Sequence, residues 1–275
     1  MMKLNLFRTL LLLSAFMIFY TGCKKNTIKP IATKTAVDYK ALSSKLAVTF
    51  YKSITGQYGG TDVSKGIKSP FGTNAAGHKT VFSTVPLCGF AIDTSYNYTI
   101  PDPVRQFDTV HRYQGSFHFV YTCTGGAVNG YNVDDSVRNE VSQYIAFDNV
   151  YGVGQHYAVQ ALDQTYKLVS MNGSLRSDVN DVGAFNESGS YLHASYGLTG
   201  LVVNFASGTA DITSGTTTFH VEYLQGWSIG IPPQYQQPTI YDGTIEYLGN
   251  HKAKLTINPG HVYIVDLITG VVTPV

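Results

Sequence analysis

Two stretches of the chain alternate between large apolar residues and small or polar residues with a period of two. In residues 88–100 the even positions carry the large side chains, and in residues 113–123 the odd positions carry them. Such alternation predicts β-strands with one buried face. If the strands pair antiparallel with Cys88 opposite Cys123, paired residue numbers sum to 211 and every large apolar side chain falls on one face. The pairs so created include Phe90–Tyr121, Ile92–Phe119, Thr94–Phe117, Tyr96–Gly115 and Tyr98–Tyr113.

A helical pattern precedes these strands. Within residues 36–56 apolar residues recur every four positions, which predicts an amphipathic helix ending at Gly56. The stripe consists of Leu42, Leu46, Phe50 and Ile54. Lysines on the same segment leave open a helix lying on a membrane surface, but the narrow apolar stripe favours packing against the sheet. Residues 57–84 are rich in Gly, Ser, Thr and Lys, and they predict a long loop.

The rest of the chain predicts further strands separated by turns. Residues 101–112 indicate a broad loop, and residues 143–162 two β segments around Gly152 and Gly154. Asn172-Gly173 indicates a hairpin turn between residues 166–171 and 174–179.

A meander of strands at 239–248, 252–257 and 261–267 ends the chain. The predicted fold class is therefore mainly β: an antiparallel sheet over residues 85–275, either twisted and open or folded into a sandwich, with one N-terminal amphipathic helix.

The N-terminus has the pattern of a secretion signal. Lys3 and Arg8 precede about 12 apolar residues, too few to span a bilayer comfortably, and the run ends on small residues before Cys23. The ending Tyr20-Thr21-Gly22-Cys23 resembles the bacterial lipobox. That resemblance implies removal of residues 1–22, lipidation of Cys23 and a lysine-rich tether over residues 23–35. The alternative is an ordinary signal peptide, or an uncleaved anchor, with an incidental cysteine.

Composition fits a protein outside the cytoplasm. Charged residues make up only 13% of the chain, with 19 Lys and Arg against 18 Asp and Glu, so charge implies no nucleic-acid partner. Once Cys23 is lipidated, only Cys88 and Cys123 remain. In an oxidising compartment such a pair predicts one disulfide, the alternative being two separate buried thiols.

Motifs that carry chemistry are weak. The chain has no HExxH, residues 23–275 have no SxxK, and the eight histidines never form HxH, so we predict no catalytic residue, no metal site and no cofactor. Because of the strand alternation, His118 and His220 should point away from the apolar face. The carboxylate pair Asp134-Asp135 is expected to be a solvated loop charge. Trp227 and Tyr235 are candidates for stacking on a ligand, although a tryptophan in such a position more often packs into the core.

The order of these features resembles a group of β-rich envelope lipoproteins of Gram-negative bacteria. The relevant segments are the lipobox, the lysine tether, the helix end running from Ile54 to Gly60, and the strand opening Cys88-Gly-Phe-Ala-Ile-Asp93. The resemblance implies an outer-membrane lipoprotein, held by its lipid, with no known catalytic residues; Lys24 after the cysteine favours the outer membrane. We expect a non-enzymatic β domain that binds a glycan, a lipid or an envelope protein. The alternatives are a structural component of the envelope and a hydrolase whose site is assembled from distant residues.

Overall fold

The computed structural model describes residues 37–67, 88–101, 109–143, 147–183, 189–227 and 237–275. The chain divides into two units, Met1–Val37 and Asp38–Val275, and the description below concerns the second. Cys23 and the segments predicted to be a signal peptide and a tether lie outside the described residues. No helix among the residues described is long and apolar enough to cross a membrane.

One open antiparallel sheet accounts for most of the fold. Each strand pairs with the next along the chain, so the order across the sheet is the order in sequence. The strands are β1 (Ala91–Pro101), β2 (Thr109–Thr124), β3 (Ala127–Gln143), β4 (Phe147–Ala161), β5 (Leu168–Val182), β6 (Gly189–Asn204), β7 (Asp211–Trp227), β8 (Thr239–Gly249), β9 (Lys252–Ile257), β10 (His261–Asp266) and β11 (Val272–Pro274). The prediction of a mainly β protein with one N-terminal helix is confirmed, and of the two arrangements left open it is the open sheet.

The register predicted for the first two strands is confirmed. Ile92 pairs with Phe119 and Tyr96 with Gly115, as the sum of 211 requires. Just before β1, the carbonyl of Phe90 accepts a hydrogen bond from the Tyr121 N–H at 3.0 Å, which extends the same register. The loop expected over residues 101–112 is shorter than predicted, because β1 continues to Pro101 and β2 begins at Thr109.

Two turn predictions in the middle of the chain are wrong. Residues 147–161 form the single strand β4, which passes through Gly152 and Gly154 without a break. Asn172-Gly173 is not a hairpin turn but an irregularity within β5, where the register to β6 shifts. A Cβ on Gly173 would lie 2.6 Å from the Tyr157 Cα, so the glycine permits close strand contact rather than a reversal.

Helix α1 (Tyr39–Ile54) packs against one face of this sheet. The carboxylate of Asp38 caps its first turn by accepting from the Ala41 N–H at 3.0 Å, and Gly56, with φ of +67°, follows its end. The four residues of the apolar stripe are fully buried. Phe50 contacts Tyr196 on β6 and Tyr247 on β8, with ring centroids 5.2 and 5.8 Å apart. The helix therefore forms the centre of the core, as its narrow stripe favoured, and does not lie on a membrane surface.

The residues after the helix are more ordered than a glycine-rich loop suggests. We call residues 55–67 the strap, because this segment lies across β3 and β4, which it contacts through Tyr58, Gly59, Gly60 and Thr61. Thr55 and Asp62 form an isolated antiparallel bridge, and a 3-10 helix at Val63–Lys65 follows. Val63 is fully buried, and Ile67 is only 1% exposed. The remainder of the predicted loop, residues 68–84, lies outside the described residues.

A cleft between the helix, the strap and the sheet

One side of α1 is left uncovered by the sheet and borders a cleft of about 490 Å³. Four separate parts of the chain line it: the helix, the strap, strands β4 and β5, and the turn before β11. The lining residues are Ala41, Ser44, Lys45, Val48, Thr49, Tyr58, Tyr151, Val179, Asp181 and Thr269. A hydrogen bond of 2.7 Å from the Ser44 hydroxyl to the Gly270 carbonyl holds the turn against the helix. The cleft thus combines aliphatic, aromatic, hydroxyl and charged groups, a mixture typical of sites for small polar ligands.

A stacked pair of tyrosines forms one wall. Tyr58 of the strap lies parallel to Tyr151 of β4, with centroids 4.8 Å apart and an interplanar angle of 8°. The Lys52 ammonium lies 5.8 Å from the centre of the Tyr58 ring, within range of a cation–π interaction. Burial raises the pKa of Tyr58 to about 12, although its contact with the Thr49 hydroxyl lowers it in part. The phenol is therefore neutral at physiological pH and available as a hydrogen-bond donor and acceptor.

An ion pair lies along the same cleft. The Lys45 ammonium is 3.4 Å from the Asp181 carboxylate and 3.1 Å from the Ser190 hydroxyl. The side chain of Lys45 is 24% exposed and that of Asp181 44% exposed, so solvent screens the pair and both groups can be reached from the cleft. The pair supplies a donor and an acceptor side by side.

Strap glycines bring the backbone against the sheet. A Cβ on Gly59 would lie 2.7 Å from the Val137 Cγ1, and one on Gly60 would lie 2.8 Å from carboxyl and amide oxygens of the residues beneath. Both glycines also have positive φ values of 106° and 81°. These positions require glycine, because a side chain would lift the strap, and Tyr58 with it, off the sheet.

A second hollow of about 560 Å³ lies over β1, β2 and β3. It is lined by Ser95, Tyr96, Asn97, Gln114, Gly115, Ser116, Ser136 and Arg138. The described residues that line it come from three neighbouring strands, and among them there is neither a stacked ring pair nor an ion pair. We therefore take the cleft beside the helix as the candidate binding site.

The predicted cysteine pair comes together in the structure. Cys88 and Cys123 lie at disulfide distance, with Cα atoms 5.7 Å apart. Trp227 is the last residue of β7, where its backbone pairs with Gly189. Tyr235 lies outside the described residues, so the pairing of these two aromatics in one site stays a prediction.

The histidines predicted to point outward do so. His118 is 56% exposed and lies 3.8 Å from the Asp93 carboxylate, and His220 is 53% exposed and 2.8 Å from Asp242. On β4, His156 pairs with Asp134 at 2.8 Å. Within the described residues no group of three or more His, Cys, Asp or Glu side chains is placed to hold a metal ion.

One carboxylate expectation is wrong. Asp134 is exposed, as expected, but it lies on β3 rather than in a loop, and Asp135 beside it is 1% exposed. Successive strand residues point to opposite faces, so Asp135 takes an inward position in the row Tyr131, Val133, Asp135, Val137 and Asn139. Extending the alternation rule into β3 would have revealed this residue.

Tyr58, Tyr151 and the Lys45–Asp181 pair carried no sequence signal of comparable strength. Their nearness depends on where the helix and strap lie on the sheet, which periodicity does not specify. A scan against protein-family models finds no match to this chain, and neither a search of curated proteins nor a search of solved structures finds one.

Proposed function

We propose that this chain is an outer-membrane lipoprotein whose β domain binds a ligand without catalysing a reaction. In this proposal residues 1–22 are the signal peptide, Cys23 carries the lipid, and the lysine-rich residues 23–35 hold the domain away from the membrane. A basic start, a short apolar run and a small residue before the cysteine support it. More than one acyl chain gives stable anchoring, since a single chain binds only reversibly.

The cleft beside α1 is the proposed binding site, and the observation that carries this is its mixed lining. The ligand class that fits best is a glycan or another polar molecule with hydroxyl groups. The phenol of Tyr58, the pair Lys45–Asp181 and the hydroxyls of Ser44 and Thr269 all offer hydrogen bonds to such a ligand. A lipid headgroup shares this chemistry, so the experiment must separate the two sources.

Capture from membranes tests the ligand. Full-length mature protein in detergent would be used to retain material from solubilised Gram-negative envelopes, and released glycans and lipids would be identified by mass spectrometry. Lys45→Met removes the ammonium group that lines one side of the cleft. Lys254→Met is a matched control, because Lys254 pairs with Glu246 on a surface away from the cleft. A glycan or lipid retained by wild type and by Lys254→Met but lost by Lys45→Met supports the proposal; equal retention by all three contradicts it.

The anchor has its own test. Cells expressing the wild type or Cys23→Ser would be fed radiolabelled palmitate and their membranes fractionated. The proposal requires label in the wild-type protein, none in the variant, and sedimentation of the wild type with outer membranes. Unlabelled wild-type protein would end the lipoprotein assignment.

One observation favours a second function, a structural component assembled through the sheet edge. Strand β1 is 11 residues long, mostly exposed, and no described strand pairs with its outer side. Asp93 is its one charged residue, whereas edge strands are usually protected by charges or bulges. Asn97→Lys should then reduce self-association in native mass spectrometry, with Asn132→Lys on β3 as control; a protein that is monomeric at all concentrations would rule this out.

A further inference from the structure

Gln155 on β4 joins the end of the helix to the strap. Its fully buried side-chain amide donates from Nε2 to the carbonyl oxygens of Ser53 at 2.8 Å and Thr61 at 2.9 Å. Its Oε1 accepts from the Thr61 N–H at 2.7 Å. Both amide donors are therefore in use, and this one side chain links the end of the helix and the strap to the sheet.

Asp135 lies directly opposite Gln155 on the neighbouring strand, beneath the strap. A Cβ built on Gly60 would lie 2.8 Å from the Asp135 Oδ2 and also 2.8 Å from the Gln155 Oε1. Two acceptor oxygens thus face the same small space. Both carboxyl oxygens of Asp135 are buried, and among the described residues neither forms a hydrogen bond of good geometry, although the backbone N–H groups of Ser136 and Thr61 are close. An ionised carboxylate here is repelled by the neighbouring oxygen, whereas a protonated one gains an O–H that can donate.

The titratable groups that interact with Asp135 in the described part of the chain are Asp134 on its own strand, Tyr157 on β4 and Tyr96 on β1. Asp62 of the strap acts on the same Tyr157. Burial is the main effect and Asp134 the second; together they raise the pKa of Asp135 to about 7, which nearby backbone N–H groups of Ser136 and Thr61 only partly offset. No basic side chain among the described residues contributes to this balance.

We propose that Asp135 is a proton-operated latch for the strap: the protonated side chain lets the strap dock on β3 and β4, and its ionisation loosens that docking. The ionised form places an uncompensated charge beside Gln155, whose amide carries the contacts to Ser53 and Thr61. Because the strap also carries Tyr58, loosening changes one wall of the cleft. The effect on ligand binding rests on the proposed function, but docking of the strap does not.

Hydrogen exchange tests the latch without any ligand. Protection factors of peptides covering residues 56–62 would be measured on full-length mature protein in detergent between pH 5.5 and 8.5, after correction for the pH dependence of intrinsic exchange. Protection should fall at least tenfold across neutral pH in the wild type. Asp135→Asn mimics the neutral acid and should stay protected throughout, while Asp134→Asn, the adjacent outward residue, should behave as the wild type.

A constant wild-type protection over this range would overturn the latch, and so would a fall of equal size in Asp135→Asn. Difference infrared spectroscopy on the wild type gives a second readout that requires no variant to fold. A protonated carboxyl band that is present at pH 5.5 and disappears across neutral pH supports the latch. Absence of any such band contradicts it, whatever the cleft proves to bind.

Discussion

Tyr96 lies across from Gly115 on the adjacent strand, and its ring occupies the space that a side chain at position 115 would need. A Cβ there would lie 2.7 Å from the Tyr96 hydroxyl oxygen and would also collide with the Ser136 carbonyl oxygen. We therefore expect Gly115→Ala to reduce the free energy of unfolding by about 1–3 kcal/mol, the usual effect of overpacking.

Chemical denaturation with the disulfide intact measures this change. Gly154→Ala is the control, because a Cβ at Gly154 meets its nearest atom, the Arg176 Cβ, at an ordinary 3.5 Å. Equal stability of the two variants would show that the aromatic–glycine pair is not tight.

The Cys88–Cys123 bridge should stabilise the first hairpin. The two cysteines are 35 residues apart in sequence, so opening the bridge releases a loop of that length in the unfolded chain. Replacing both by serine should lower the free energy of unfolding by about 2–4 kcal/mol. Thiol titration of denatured, unreduced protein should find neither cysteine free, and two free thiols would contradict the bridge.

Whether a feature of this fold can be predicted from the sequence depends on how far apart in the chain the interacting residues are. The alternation in residues 88–100 and 113–123 was strict, and the cysteines selected one register among several of equal parity, so the pairing of the first hairpin was predictable, whereas the start of β2 at Thr109 was not. The Asn172-Gly173 dipeptide is a strong local turn signal, yet the pairing of β5 with both β4 and β6 overrides it. Burial of Asp135 follows from strand parity, but its meeting with the strap does not, because residues 60 and 135 come together only through the fold.

Gln155 should contribute more to the free energy of unfolding than a single side-chain amide usually does. Gln155→Leu removes its three hydrogen bonds and leaves the Ser53 carbonyl and both backbone groups of Thr61 without that partner. Since a buried unpaired polar group costs about 1–3 kcal/mol, we expect a loss of several kcal/mol. Gln160→Leu, at an exposed position of the same strand, should change stability by less than about 0.5 kcal/mol. Similar melting temperatures for both variants would refute the role of Gln155.

The free energy of unfolding should depend on pH through Asp135. Its pKa is about 7 in the folded protein against 3.8 as the ordinary value, so the unfolded chain binds fewer protons between these limits. Ionisation therefore costs stability progressively as pH rises from about 4 to 7, and the cost is complete above pH 7. At most it amounts to roughly 4 kcal/mol, from 1.36 kcal/mol per unit of pKa.

Denaturation curves of the wild type and Asp135→Asn at pH 5 and pH 8 isolate this contribution from that of other acids. The stability of the variant relative to wild type should be greater at pH 8 than at pH 5. A difference that does not change with pH would show that Asp135 ionises normally in the folded protein.

The most direct test of the proposed binding site is to fill the cleft. Ala41 is exposed on α1 and lines the cleft, whereas Ala158 is exposed on β4 away from it. Native mass spectrometry of mature protein extracted from envelopes would compare the wild type with Ala41→Trp and Ala158→Trp. We predict a bound species of defined mass on the wild type and on Ala158→Trp that is lost from Ala41→Trp; the same bound mass on all three proteins, or none on the wild type, would contradict a ligand site in this cleft.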